Sequence, residues 1–159
     1  MTEPRIAALV ARLEKGGRKT QEVLGGLRAG QWQSVIYPDP RWTVRDLLAH
    51  FVAAEERLLE LAQDVAAGGS GAPPGFDFDA FNAEQKERLS GQSPEVLLAS
   101  LAEVRGRTLA WVGSLPEDRL DRVGRHPGLD VVSLETIITA IYGHQLLHMR
   151  DLVERLRGD

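Results

Sequence analysis

Apolar side chains recur at every third or fourth position along four long segments of the chain, and this spacing predicts four amphipathic helices. The first segment covers residues 4–27, and its period continues across Gly16 and Gly17. We expect one helix with a weak centre there, because each interior glycine costs about 1 kcal/mol relative to alanine. Two shorter helices that break at the glycines are the alternative.

The second helix has clear start and stop signals. The segment Pro38-Asp39-Pro40 disfavours helix, and Thr43 follows it as an N-cap with Asp46 as its capping-box partner. The apolar stripe continues to Val65 and stops at a loop rich in glycine and proline over residues 68–75. The second helix is therefore predicted to begin after Thr43 and to end before this loop.

Serine and proline mark the starts of the other two long helices. Ser93 followed by Pro94 is typical of an N-cap with proline in the first turn, and the apolar pattern continues to Gly113. Ser133 provides the cap of the fourth helix, which runs close to the C-terminus. The connection between the second and third helices has about 25 residues and includes a predicted short helix over residues 79–89.

These elements predict an all-α four-helix bundle that forms a single domain over residues 1–159. No β-hairpin pattern is visible, and Val131-Val132 is interpreted as an isolated extended pair. Short loops join antiparallel neighbours, whereas the long crossover lets the second and third helices run in the same direction. We therefore expect the order up-down-down-up.

Composition narrows the functional classes. The net charge is −4 and no basic block is present, which argues against nucleic acid and anionic membranes as partners. The absence of cysteine excludes thiolate ligands and a cysteine nucleophile. No leader-like segment and no apolar run of about 18 residues is visible, so we expect a cytoplasmic protein.

The histidines carry the strongest chemical signal. His144 and His148 are four residues apart on the fourth helix, so both lie on one face near the edge of the apolar stripe. His50, in the second turn of the second helix, also borders the bundle interior. Three histidines from two helices can form an open zinc- or nickel-type site with water in the remaining positions. Hydrogen-bonded histidines packed at the core boundary are the alternative.

Two segments resemble one known family. Residues 42–50 resemble the Trp-x-x-x-(Asp/Glu)-x-x-x-His motif that opens the second helix of DinB/YfiT-like proteins, and residues 142–148 resemble their fourth-helix His-x-x-x-His motif. Phe81-Asn82 is similar to a Phe/Tyr-Asn pair in the family's middle connection. The resemblance extends over almost the whole chain, in the order and spacing of all four helices.

This resemblance implies a fold and a chemistry. DinB-like proteins are up-down-down-up bundles, commonly dimers, in which three histidines hold a divalent metal. Carried over to this chain, the metal ligands are His50, His144 and His148. Relatives include metal-dependent thiol transferases and isomerases that use mycothiol, bacillithiol or glutathione, and some hydrolases. The resemblance therefore implies a zinc, nickel or manganese cofactor, possible use of a low-molecular-weight thiol, and a small-molecule substrate.

Five further residues are candidates for the surroundings of the metal or for substrate contact, and each has a structural alternative. Asp46 can orient His50 or act only as a cap partner. Glu55 can serve as a base or extra ligand, or form a partly buried pair with an arginine. Asn82 and Gln145 can present amides to a substrate or only cap and pack. Tyr142 can supply a hydroxyl to the site or pack at an interface.

The sequence indicates the roles of three other residues less clearly. Arg150 can bind a substrate carboxylate or form a surface ion pair. His126, between Arg125 and Pro127, is predicted to lie on an exposed loop. Trp42 is predicted to close the end of the bundle, with a position in the site as the alternative.

Three functions are consistent with the sequence. The first is a metal-dependent transferase, isomerase or hydrolase, in which a small thiol supplies the sulfur that the chain lacks. The second is a non-catalytic metal- or small-molecule-binding module, and the third is a structural bundle without metal. We also expect a homodimer, because Ala7, Ala8 and Ala11 form a flank of small residues on the first helix. A monomer is the alternative.

Overall fold

A computed structural model describes residues 3–158, so residues 1, 2 and 159 of the predicted domain lie outside the described part. It contains four long helices and one short helix, namely α1 (Pro4–Gly25), α2 (Val44–Ala66), α3 (Phe78–Arg88), α4 (Pro94–Gly113) and α5 (Leu134–Leu156). Two antiparallel hairpins accompany them, β1 (Val35–Pro38) with β2 (Arg41–Thr43) and β3 (Val123–His126) with β4 (Asp130–Ser133). Within residues 3–158, no helix is long and apolar enough to cross a membrane.

The predicted helix starts are confirmed by their caps. Thr43 Oγ1 accepts a hydrogen bond from the Asp46 N–H at 3.2 Å, and Asp46 Oδ2 accepts one from the Thr43 N–H at 2.9 Å. Ser93 and Ser133 each accept a bond from the backbone N–H three residues later, at 3.2 Å. These bonds satisfy amides that have no partner within the first turn of a helix.

Helix α1 is continuous across its glycine pair, as predicted. Its packing against α4 explains why glycine is present: a Cβ atom at Gly17 would lie 3.2 Å from Nη1 of Arg105. The same nitrogen donates to the Leu13 carbonyl at 2.7 Å. The missing side chain therefore lets a buried arginine reach the backbone of α1, which offsets part of the cost of glycine in a helix.

The apolar core shows the directions of the long helices. At one end, the start of α1 packs with the ends of α2 and α4 and with the start of α5, through Ile6, Leu61, Val65, Val112, Leu134 and Ile137. At the other end, the end of α1 packs with the starts of α2 and α4 and with the end of α5, through Leu24, Leu47, Leu97 and Leu152. Helices α2 and α4 are thus parallel, and the predicted up-down-down-up order is confirmed.

The prediction that the chain has no β-hairpin is wrong. Each hairpin lies directly before a helix, β1–β2 before α2 and β3–β4 before α5. Val131 and Val132 are paired in β4 and do not form an isolated extended pair. Each strand has only three or four residues and buries at most one, such as Ile36 in β1 and Gly124 in β3, so no alternating pattern develops.

Candidate metal centre

Three histidine side chains converge between α2 and α5. The Nε2 atoms of His50 and His144 are 2.9 Å apart, and those of His144 and His148 are 3.2 Å apart. The antiparallel packing of α2 against α5 brings the second turn of α2 beside the second half of α5. The structure therefore brings together the three residues that the sequence singles out, as a group that could hold a metal ion.

The donor atoms fit a small divalent ion. Two nitrogens about 2.0–2.1 Å from a common ion are separated by about 2.9 Å at a right angle and by about 3.3 Å at the tetrahedral angle. Both measured Nε2 separations match this range. Three imidazoles suit zinc, nickel or iron and leave further coordination positions open.

The surroundings favour neutral histidines. Burial, together with repulsion from His144 and His148, lowers the pKa of His50 to about 3. Burial, together with repulsion from His148 and His126, lowers the pKa of His144 to about 4. Burial also lowers the pKa of His148, and the nearby Asp151 carboxylate opposes this shift. A neutral imidazole is the form that binds a metal, so all three have the required protonation state at neutral pH.

A tyrosine and an aspartate support His148, and the sequence analysis missed both. The Tyr37 hydroxyl donates to Asp151 Oδ2 at 2.5 Å and lies 2.8 Å from His148 Nδ1. Because its hydrogen goes to the carboxylate, the hydroxyl accepts the proton of Nδ1, which leaves the Nε2 lone pair free. Burial and Asp151 raise the pKa of Tyr37. Asp151 follows His148 by three residues, so helical spacing could have indicated it.

Trp42 lies beside the histidine triad and is part of the candidate site. Its ring centroid is 4.9 Å from that of His50, at an angle of 54°. The residue lies in β2, and the hairpin places its ring beside the second turn of α2. Trp42 is therefore a wall of the site, which is the second of the two positions that the sequence allowed.

Most of the additional predicted site residues have structural contacts instead. The Asp46 carboxylate bonds to Thr43 and Arg45, so it caps α2 and does not orient His50. Tyr142 is buried, and its hydroxyl accepts a bond from Arg12 at 3.1 Å. Arg150 is exposed. For Asp46 the structural alternative, a cap partner, is the one observed.

Glu55 and Gln145 belong to a separate buried network. Both Glu55 oxygens accept bonds from Arg105, at 2.7–3.1 Å, and further bonds come from Thr108 and Gln145 at 2.9 Å. Glu55 thus pairs with a buried arginine, and the Gln145 amide is used inside the bundle. Neither side chain is available to a substrate.

A cavity of about 920 Å³ opens beside the triad. Its wall includes all three histidines and Asn82. Most of its surface is apolar, with aromatic rings supplied by Trp42 and by the crossover segment that contains α3. A cavity of this size and character suits a small organic molecule.

The expectation of an exposed loop at His126 is wrong. His126 ends β3, is half-buried, and lines the same cavity as the triad. Its Nδ1 accepts a bond from the Gly128 N–H at 3.0 Å. Its Nε2 is buried, and among residues 3–158 it has no hydrogen-bond partner. The β3–β4 hairpin, which the sequence pattern did not predict, is the reason for this burial.

The fold and the triad together define a class: four-helix bundles with three histidines arranged to hold a metal ion beside a cavity. Comparison with known families then shows which protein family the chain belongs to. The model of the DinB superfamily matches residues 12–152, and the chain belongs to this superfamily. Comparison with curated proteins gives no match.

Two solved structures are similar to this chain. YfiT from Bacillus subtilis, described as a probable metal-dependent hydrolase with an unusual four-helix bundle topology, matches with a TM-score of 0.78 and 20% identity over 99% of this chain and 89% of its own. The mycothiol-dependent maleylpyruvate isomerase matches with a TM-score of 0.77 and 16% identity over 92% of this chain. The chain covers 60% of the isomerase's length. At these identities both matches show the fold alone.

Proposed function

We propose that this protein is a divalent-metal-dependent enzyme that acts on a small molecule, with His50, His144 and His148 as its metal ligands. The observation that supports the proposal is the convergence of three neutral Nε2 donors at 2.9 and 3.2 Å beside a large cavity. A divalent ion held by three neutral ligands keeps its charge, and so it can polarise a carbonyl and lower the pKa of a bound water or thiol.

The protein's own residues have distinct roles in this proposal. Tyr37 and Asp151 hold His148 with its Nε2 toward the other two histidines, as second partners of metal-bound histidines commonly do. Trp42 packs on His50 and limits the access of water to that side. These contacts position the donor atoms before any metal binds.

The reaction that we propose is a thiol-dependent transfer or isomerisation, or a hydrolysis. The chain contains no cysteine, so a thiol reaction requires a low-molecular-weight thiol as co-substrate. The described mycothiol-dependent isomerase and probable hydrolase have this fold, which supports testing both reaction types. Zinc, nickel and manganese are the metals to test.

A binding module without turnover is the second candidate. It is favoured by the bonds of the triad: within residues 3–158, the Nε2 atoms contact one another and no carboxylate that could act as a base. Such a module would bind the metal and the small molecule as well as an enzyme would. Turnover is therefore the property that separates the two candidates.

The test combines metal analysis with an activity screen. Untagged protein is loaded with each metal, dialysed, and analysed by mass spectrometry for bound metal, and then screened for thiol-dependent transfer and for ester or amide hydrolysis. His144→Ala removes a proposed ligand, and Leu146→Ala is the matched control because Leu146 is exposed on the same helix. We expect about one metal per chain and turnover in the wild type and the control only. A wild-type metal content no higher than that of His144→Ala would contradict the proposal.

The proposal includes the partners and location of the protein. A net charge of −4 without a basic block supports a small-molecule ligand rather than nucleic acid or membrane. A cytoplasmic location is part of the proposal.

We also propose a homodimer. Ala7, Ala8 and Ala11 are exposed on α1, and small side chains let a second helix approach closely. Light scattering at micromolar protein tests this, and a mass near 17.5 kDa would contradict it.

A further inference from the structure

The cavity beside the triad extends along α2 and α5 to a second polar region. Arg57 follows His50 by seven residues, which is about two turns, so the two residues share a face of α2 about 10 Å apart along the axis. Both line the cavity, and so does His126 of the second hairpin. Gly124 in that hairpin is packed against Val65, near the end of α2. Arg57 and His126 therefore lie toward the end of α2 that is opposite His50.

Arg57 is a cation with only a weak partner. Its guanidinium is 3.6 Å from Glu60, whose side chain is 70% exposed. It also lies 5.7 Å from the centre of the Phe76 ring. Exposed pairs of this spacing contribute little and exchange readily with solvent. The aromatic contact holds the guanidinium at the cavity wall, where a ligand anion can replace Glu60.

His126 adds a hydrogen-bond donor with no partner. Because Nδ1 accepts the Gly128 N–H, the ring proton is on Nε2. This Nε2 is buried without a partner among residues 3–158. Buried polar groups are nearly always hydrogen-bonded, and His126 lines the cavity, so an acceptor that enters the cavity can complete this donor when the imidazole ring turns toward it.

The backbone holds His126 in place. The neighbouring Arg125 donates its N–H to the Ser70 carbonyl and its carbonyl accepts a bond from the Ala72 N–H, both at 2.8 Å.

Phe76, which contacts Arg57, also lines a smaller pocket of about 270 Å³ together with His126. His126 and the Phe76 ring that Arg57 contacts therefore line the same two pockets.

Apolar side chains separate this region from the histidine triad. Ala54 lies between His50 and Arg57 on α2, and Leu58 of α2, Ala140 of α5 and Phe81 of α3 supply further apolar wall of the same cavity. Two carboxylates, Asp39 and Asp79, also line it, and both residues are exposed, so water screens their charge. The wall thus combines a triad of potential metal ligands, an apolar stretch, and a region with one cation and one unpaired donor.

We propose that Arg57 and His126 form a carboxylate-binding subsite, so that the substrate is an elongated, largely apolar small molecule with a carboxylate at the end remote from the metal. The metal-binding end of this substrate rests on the proposed function. The carboxylate-binding end rests on Arg57 and His126 and does not need the metal.

The first experiment tests the subsite in metal-free protein. Phenylalkanoates of increasing chain length are compared with the corresponding phenylalkanols by calorimetry and by chemical-shift perturbation. We expect the carboxylates to bind about tenfold or more tightly, as for a charge-assisted hydrogen bond. Arg57→Gln should remove this preference, Arg57→Lys should keep part of it, and His126→Phe should weaken it. Arg107→Gln is the matched control, because Arg107 forms a similar exposed pair with Glu103 on α4.

The second experiment tests the distance between the two ends. Alkyl hydroxamates with a terminal carboxylate are titrated into zinc-loaded protein and compared with methyl-terminated hydroxamates of equal length. The carboxylate advantage should peak at one intermediate length and disappear in Arg57→Gln.

The outcomes separate the two proposals. Equal binding of acids and alcohols, or a preference for acids that survives in Arg57→Gln with unchanged melting temperature, would overturn the carboxylate subsite. A preference that depends on Arg57, found in protein that binds neither zinc nor hydroxamates, would support the subsite and contradict the metal-dependent function instead.

Discussion

Two polar clusters lie on the facing helices α2 and α5, about one turn apart, and they differ in how their atoms are used. In the first, Glu55 accepts bonds from Arg105, Thr108 and Gln145, and Arg105 also reaches the Leu13 carbonyl. In the second, the Nε2 atoms of the histidine triad point at one another. The first cluster is closed, because its polar atoms are bonded by other side chains of the bundle, whereas the second is open: within residues 3–158 its Nε2 atoms have only one another as hydrogen-bond partners.

This difference shows that burial alone does not identify a functional group. The Glu55 side chain is 0% exposed, more buried than any of the three histidines, yet it is fully bonded by partners from α4 and α5. The best-attested use of buried polar groups of this kind is to specify how helices are paired. Convergence of several metal-binding nitrogen atoms is the stronger indication of a ligand site.

The largest expected effect comes from breaking the closed cluster. Arg105→Met leaves Glu55 buried without its cation, and removing one partner of a buried pair costs about 3–5 kcal/mol. Chemical denaturation should show the free energy of unfolding reduced by this amount. Arg107→Met, in an exposed pair with Glu103, is the control and should show no measurable change. Equal losses in both variants would mean that the Glu55 network does not stabilise the bundle.

The next effect comes from removing a donor from the open cluster. His144→Ala should lower zinc affinity by more than about 100-fold, because the loss of a ligand exceeds the 10–100-fold typical of losing a supporting partner. The metal-free variant should still fold, since the apolar core does not depend on the triad. Competition titration with a chelating dye measures the affinity, and Leu146→Ala should bind zinc like the wild type. Unfolding of metal-free His144→Ala at room temperature would show that the triad is needed for the fold.

A smaller loss is expected from Tyr37. Tyr37→Phe removes the acceptor of the His148 Nδ1 proton, and loss of such a partner typically costs 10–100-fold in metal affinity. Tyr142→Phe is the matched control, because the Tyr142 hydroxyl bonds to Arg12 and not to the triad. The same dye competition compares the two. If the two variants lose equal affinity, Tyr37 does not orient His148.

The smallest predicted effect is a difference in pH dependence. In the folded metal-free protein the pKa values of His50 and His144 are lowered to about 3 and 4, whereas in the unfolded chain they return to about 6.5. Between these values the unfolded state binds more protons, so stability is full above about pH 6.5 and falls as the pH decreases toward 4. Each such histidine contributes a slope of about 1.4 kcal/mol per pH unit.

Denaturation of metal-free protein at several pH values tests this. The slope between pH 6 and 4.5 should be smaller in His144→Ala than in the wild type, because one titrating group is gone. Identical slopes would show that burial does not keep His144 neutral.

The sequence was sufficient for the bundle and for the triad, because both depend on local spacing. The helix ends follow from Thr43, Ser93 and Ser133, and the triad follows from the helical positions of its histidines. The up-down-down-up order followed from one long connection. Each of these inferences needs only residues within a few turns of one another or the length of a segment.

The remaining features depend on partners that are distant in sequence. Tyr37 reaches His148 across 111 positions through a hairpin whose strands are too short to show alternation. That Glu55 is paired, and so is not free for a ligand, depends on Arg105, which comes from α4. The burial of His126 likewise follows from the second hairpin. Helical periodicity predicts which face of a helix a side chain lies on. It does not predict which side chain of another element will contact it.

The central claim is that the open cluster binds a metal and the closed one does not. Its most direct test is an anomalous difference map from crystals of untagged protein soaked with zinc at neutral pH. The account predicts one strong peak about 2.0–2.1 Å from the Nε2 atoms of His50, His144 and His148, with no peak beside Glu55. A map with no peak at the triad, in crystals that bind zinc elsewhere, would contradict it.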